Sequence, residues 1–125
     1  MKVYADMTHR FESENGYAYK SELLGVLKGL GFSEDDYPKK VATLSGGQKT
    51  RVALGKLLLQ KPNLILLDEP MNHLDFKYQI ELMEYLNKWV MEGERCILSV
   101  LHDFNMAFNF ADRILLMNDG EFVIN

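Results

Sequence analysis

A chain of 125 residues, 47% hydrophobic and 26% charged, with only three prolines, has enough apolar material for a core; it is too short for two full catalytic domains and too apolar for a disordered tail. Its net charge of −4 excludes a bulk positive field for nucleic acid or anionic lipid, and no apolar run approaches the roughly 18 residues of a membrane span. Residues 1–62 carry 10 basic and 7 acidic side chains and residues 63–125 carry 4 and 11, so a cationic partner suits the second half.

Residues 2–8 (KVYADMT) lack the apolar stretch of a signal peptide, and Met1 to Ala5 is the one strand candidate before residue 62. Leu23, Val26, Leu27 and Leu30 fall three or four apart and predict a helix from Tyr19 that Gly31 ends. Ser33 with Asp36 reads as a variant capping box opening a short turn that Pro38 stops. Ser45 caps a second helix over about 46–60, closed by Pro62. The run Asn63 to Asp68 between two prolines predicts a strand buried on both faces, as in parallel sheets. A helix follows over about 76–92, with Asp75 as N-cap, Gly93 at its end and a stripe of Phe76, Ile80, Met83, Leu86 and Val90. Cys96 to Leu101 is a second buried strand, and Asp103 caps a helix through Ala111. Arg113 to Met117 and Glu121 to Ile124 flank Asn118-Asp119-Gly120 as a hairpin. The single cysteine, Cys96, is expected to be a small buried hydrophobe, which with the absent leader implies a reducing, cytoplasmic compartment.

The alternation of strands and helices predicts an α/β architecture, a mainly parallel sheet covered on both faces. With one parallel pair and a hairpin the sheet is thin and is expected to leave an apolar edge open.

Three places could carry chemistry. Leu44-Ser45-Gly46-Gly47-Gln48 opens a helix with a hydroxyl, two residues without side chains and a carboxamide. Unpaired N–H groups and the helix dipole converge there and suit a phosphate, although the same residues also make an ordinary capped helix start. Asp68 and Glu69 lie at the carboxyl end of the first buried strand, where ligands of open parallel sheets bind. There Asp68 can hold magnesium and Glu69 can polarise a water, the bland alternative being a helix cap beside a solvated glutamate. His102, ending the second strand at a position matching Asp68, can bond a phosphate or the attacking water, or be structural. Tyr4, Phe11, Tyr17, Tyr19 and Phe32 read as packing residues, because no basic stripe interleaves them.

Taken in order, LSGGQ, LILLDEP, NHLD and VLHD resemble the carboxyl-terminal part of an ATP-binding cassette (ABC) ATPase, across essentially the whole chain. The resemblance implies a partial P-loop NTPase fold. Residues 1–43 would be the helical arm of the helical subdomain, and 44–125 the signature helix with the carboxyl-terminal part of the ATPase core. It further implies that Leu44, Ser45, Gly46, Gly47 and Gln48 are the signature, Asp68 the metal-holding Walker B aspartate, Glu69 the catalytic carboxylate, Asn72 to Asp75 the D-loop, with Asp75 contributing to the nucleotide site, and His102 the switch histidine. ATP and Mg2+ are the implied ligands.

Two departures qualify this. The phosphate-wrapping loop Gly-x-x-x-x-Gly-Lys-Ser/Thr occurs nowhere, since Gly55-Lys56 is followed by Leu57; the chain is expected to be roughly half a cassette, with ATP and Mg2+ weak or absent on it alone. Met71 stands where the family's EPTNHLD run has threonine. Residues 1–75 resemble the soluble, translation-associated ABC-F branch, through HRFE, GYAYKSE and ATLSGGQKTRVALGKLLL. Residues 76–125 resemble the ATPase subunits of siderophore, haem or cobalamin importers, through KYQIELMEYLNKW and LSVLHDFNMAFNFADRILLMNDGE. A recombinant, engineered or truncated chain joined near residues 68–76 is one expectation, and divergence within one branch the other. The resemblance implies as partners a complementary cassette or phosphate-loop fragment and a membrane subunit or the ribosome; the open sheet edge adds a second copy of the chain.

Overall fold

A computed structural model of the chain describes residues 2–123 and divides them between two compact units, one ending at Pro62 and one beginning at Asn63.

The first unit is helical. Helix α1 spans Lys2–Ser13, α2 Tyr19–Gly29 and α3 Gly46–Leu59, with short 3-10 turns at Glu34–Asp36 and Val41–Thr43. The strand expected over Met1 to Ala5 is overturned, because residues 2–5 lie inside α1. A strand needs a neighbour to take its backbone groups, whereas a helix satisfies them locally. Val3, Met7 and Phe11 also recur every fourth residue, the helical spacing. Phe11 meets Tyr17 edge to face at 4.9 Å.

Helix α2 ends as its sequence predicts. Gly31 takes a φ of 77°, its N–H bonds the Lys28 carbonyl, and the Phe32 N–H bonds the Leu27 carbonyl. This pairing satisfies two orphan carbonyls and requires a left-handed residue that glycine adopts without strain. In the following turn the Asp36 carboxylate accepts hydrogen bonds from the Ser33 N–H and hydroxyl and from Lys39. The Lys39 bond foremost, then the two from Ser33, hold its carboxyl far below the ordinary aspartate range.

The buried positions of α3, namely Gly47, Arg51, Leu54, Gly55 and Leu58, lie three or four apart on one face. At Gly55 a Cβ would stand 2.9 Å from Leu30 Cδ1 and 3.3 Å from Val26 Cγ1, so glycine permits the close packing of α3 on α2. Arg51, only 6% exposed, donates to the Leu30 carbonyl at 2.8 Å, with its guanidinium 5.0 Å from the Phe32 ring centroid. The arginine thus ties α3 to the end of α2.

In the second unit β1 (Leu64–Asp68) and β2 (Cys96–Val100) pair in parallel, from Leu64 opposite Cys96 to Asp68 opposite Val100. Helix α4 (Phe76–Met91) connects them, and α5 (Phe104–Phe110) follows β2 and packs on α4. Ile65, Leu82, Met83, Leu86, Trp89 and Met106 are the buried apolar residues of the two strands and two helices. The Arg95 guanidinium stacks 4.5 Å from the Trp89 ring and donates to the Trp89 carbonyl, securing the end of α4.

Several expectations fail here for one reason. Leu64, Leu66, Leu98, Val100 and Cys96 are exposed, so the parallel pair is buried on one face only, and Cys96 is not a buried hydrophobe. Burial on both faces needs layers on both sides, and the other face of this pair is open. On α4 the stripe rotates to Leu82, Met83, Leu86 and Trp89, leaving Phe76 exposed. Asp75 occupies the N-cap position with extended backbone but makes no side-chain cap bond. Asp103 does cap α5, accepting from the Asn105 and Met106 N–H groups.

The hairpin forms a separate two-stranded sheet of β3 (Met117–Asn118) and β4 (Glu121–Phe122). Asp119 and Gly120 take φ values of 49° and 82°, the paired left-handed conformations of a tight hairpin turn. Arg113 to Leu116 are not in a strand, and Ile124 lies outside the described residues.

Ile65→Ala should therefore cost about 2–5 kcal/mol, and Leu66→Ala, one residue along the same strand, no more than about 0.5 kcal/mol; denaturation midpoints measure both. Asp36 has a depressed folded pKa, so its contribution is present above the ordinary aspartate value near pH 4 and fades as pH falls through the lower folded value. Asp36→Asn should flatten the acid limb of the stability curve below about pH 4, read by thermal melts at several pH values.

Candidate functional site

At the start of α3 the capping arrangement is reciprocal. The Ser45 hydroxyl accepts from the Gln48 N–H at 3.2 Å, and Gln48 Oε1 accepts from the Ser45 N–H at 3.0 Å. The hydroxyl keeps its own proton for an outward partner. Gly46 is exposed with nothing within 4 Å of where a Cβ would stand, while Leu44 and Gly47 are buried and hold the turn in place. The expected signature therefore folds as a capped helix start with one open, side-chain-free position.

The second group gathers where β1 and β2 end. The ladder stops at Asp68, but the Glu69 N–H still bonds the Val100 carbonyl at 3.2 Å, and Glu69 leaves the strand with a φ of 47°. A non-glycine residue in this region costs about 1–3 kcal/mol, a strain that collects at functional sites. The turn sends the carboxylate toward β2, where Oε1 pairs with His102 Nε2 and Oε2 accepts from Asn72 Nδ2. The His102 bond first, and the Asn72 bond second, hold the Glu69 carboxyl below the ordinary glutamate range. A cleft of about 140 Å³ lies here, lined by Glu69, Asn72, Gln79, His102, Asp103 and Met106 among others.

His102 does not stand level with Asp68 as its sequence position suggested. Asp68 is opposite Val100, and His102 lies two residues beyond the strand, where it reaches Glu69 instead. Asp68 and Asp75 are both exposed, and among the described residues no hydrogen bond or ion pair involves the Asp68 side chain. Among the described residues no group of three or more His, Cys, Asp or Glu side chains comes together as a metal site. A lone, open carboxylate nevertheless fits magnesium, which is commonly held by one or two carboxylates with water and phosphate oxygens completing its shell.

The sequence matches the ABC transporter family over residues 3–72, more than half of the chain. The chain belongs to the ABC transporter family. It is 47% identical over 103 residues to the ATP-binding protein YdiF of Bacillus subtilis, covering 82% of this chain and 15% of that relative. It is 38% identical over 105 residues to the aliphatic sulfonates import ATP-binding protein SsuB 3 of Pseudomonas savastanoi pv. phaseolicola, covering 82% of this chain and 38% of that one. The dimeric structure of MJ0796, a bacterial ABC transporter cassette, aligns with a TM-score of 0.72 at 36% identity, over 82% of this chain and 44% of that cassette. A post-hydrolysis state of the same cassette, bound to ADP and Pi, aligns at 0.71. This ABC chain thus has the α/β ABC ATPase fold in part and spans less than half the length of these relatives. No described helix is long and apolar enough to cross a membrane.

Of the residues that sequence reasoning passed over, Asn72 stood inside the NHLD run without a role of its own, and Gln79 and Arg51 carried no local signal. Ser45→Ala should lower stability by about 0.5–2 kcal/mol through loss of the cap, whereas Gly46→Ala should not lower it, because the added methyl meets open space. Chemical denaturation of the two variants measures the contrast.

Proposed function

We propose that this ABC chain contributes a signature, Leu44 to Gln48, to ATP presented by a partner cassette or phosphate-loop fragment. The observation that carries the reading is the LSGGQ opening of α3, folded as a reciprocally capped helix start with an open glycine. Backbone N–H groups at such a helix start favour a phosphate.

On the other unit, Glu69 is the carboxylate that orients and polarises water, and His102 holds its carboxylate oxygen and stands ready for a terminal phosphate. Asp68 would hold magnesium and Asp75 would approach the nucleotide from the D-loop. When bound, the ion supplies charge neutralisation for the phosphates. The 1–43 segment is the helical arm, the surface through which a membrane subunit or the ribosome would be met. Residues 1–75 are read as ABC-F-like and residues 76–125 as importer-ATPase-like; the relatives named as import ATP-binding proteins support the importer side. A cytoplasmic location follows from this reading.

A second reading is a catalytically inert fragment or chimera that self-associates. The exposed apolar face of Leu64, Leu66, Leu98 and Val100 favours it. A concentration-dependent dimer with no affinity for magnesium ATP would support it.

The chain alone should bind magnesium ATP no tighter than about millimolar and show no turnover above background. Micromolar magnesium-dependent binding by calorimetry would contradict the proposal. Supplied with a phosphate-loop fragment, it should gain ATPase activity that Glu69→Gln abolishes; turnover retained in that variant removes Glu69 from its role.

A further inference from the structure

Glu69 and His102 account for one carboxylate oxygen. The other is held by Asn72, from a loop that is itself held by helix α4. The Asn72 N–H donates to the Glu69 carbonyl at 3.1 Å, closing a tight turn, while its side-chain amide donates to Glu69 Oε2. Beneath this turn Gln79 Nε2 donates to the Leu74 carbonyl at 3.0 Å and to the Met71 carbonyl at 3.4 Å. A side-chain amide carries two donor protons, and here the two go to carbonyls on either side of Asn72 and His73. Leu74 is 8% exposed and pins the loop from its other end, and His73, at a φ of 65°, lets the chain reverse between them.

We propose that Asn72 and Gln79 are positioning residues for Glu69: Gln79 fixes the 71–74 loop from α4, and Asn72 on that loop grips the carboxylate oxygen that His102 leaves open. The inference rests on the reading of Glu69 as the water-orienting carboxylate. A glutamate has three side-chain torsions. A single contact leaves the carboxylate plane free to swing about that contact, whereas contacts on both oxygens set the plane. Each oxygen has two lone pairs, so each keeps one for a water while the group is held. Contacts on both oxygens serve the close placement, about 0.5 Å, that catalytic groups require of their supports. Gln79 touches neither Glu69 nor His102 through any of these bonds, so its effect passes through the loop alone.

The test uses the 125-residue chain without nucleotide. Three-bond couplings along the Glu69 side chain should report one rotamer in the unaltered chain and averaged rotamers in Asn72→Ala. Gln79→Glu, which faces the two carbonyls with a carboxylate, should also show averaging, with the amide resonances of β1 and β2 unmoved in both variants. A single retained rotamer in either variant overturns the proposal, since a residue that only shapes the turn would leave the Glu69 side chain undisturbed. Should Asn72→Ala fail to fold, Glu69→Ala reads the same bond from its other end. The Asn72 side-chain amide protons should then lose their shifted resonance and slowed exchange, and an unchanged signal overturns the proposal. Because no nucleotide enters these measurements, their failure leaves the assignment of hydrolysis to Glu69 standing. Turnover retained in Glu69→Gln would remove that assignment without altering the couplings.

Discussion

The parallel ladder between β1 and β2 ends at a single backbone hydrogen bond, from the Glu69 N–H to the Val100 carbonyl, and this bond sets where the Glu69, Asn72 and His102 side chains meet. An extended residue at that point would continue the strand and send its side chain to one face of the sheet. Held to Val100 and turned into the left-handed region, Glu69 instead carries its carboxylate across the ends of the two strands to His102, 33 positions along the chain. The turn is costly for a side chain with a Cβ. It persists because the ladder on one side and the Asn72 and His102 hydrogen bonds on the other both require it.

The first unit is built around a different constraint, close approach of two helices. Gly55 admits Leu30 and Val26, and the Arg51 guanidinium caps the carbonyl that Leu30 presents at the end of α2 while covering the Phe32 ring. Burying an arginine is expensive unless its donors are met and its flat face is covered. Here the Leu30 carbonyl takes one donor and the Phe32 ring covers one face, both at the end of α2. The rigid seat so formed presents the start of α3, where the Ser45 and Gln48 reciprocal bonds occupy the helix's own groups and leave Gly46 open. The cap bonds and the open backbone are thereby divided between neighbouring residues.

The parallel pair shows how little the character of a residue says about its neighbours. Leu64, Ile65, Leu66 and Leu67 are alike in polarity, yet Ile65 is 1% exposed and Leu66 67%. The pleat sends successive side chains to opposite faces, and only one of those faces is covered. Cys96 and Leu98 share the open face for the same reason. Read as a string, the run looks buried throughout, because a continuous apolar segment is what a strand covered on both sides requires.

Several helix ends, caps and turns were legible from residues alone: the glycine that ends α2, the capping box at Ser33, the Ser45 and Asp103 caps and the Asp119-Gly120 turn are all set by torsional preference and hydrogen bonds within a few positions. The strands β1 and β2 were legible as apolar runs bounded by breakers. Residues 2–5 were misread as a strand because a short segment with aromatic and β-branched residues leaves the choice to whether a partner strand exists. The pairing of Glu69 with His102, the rotated stripe of α4 and the open face of the sheet belonged to the tertiary structure: the first depends on the register between strands 32 positions apart, the others on which layer covers a surface. The grip of Asn72 and the support from Gln79 span only three to eight positions, yet they depend on the left-handed turns at Glu69 and His73, which residues that rarely adopt them do not announce.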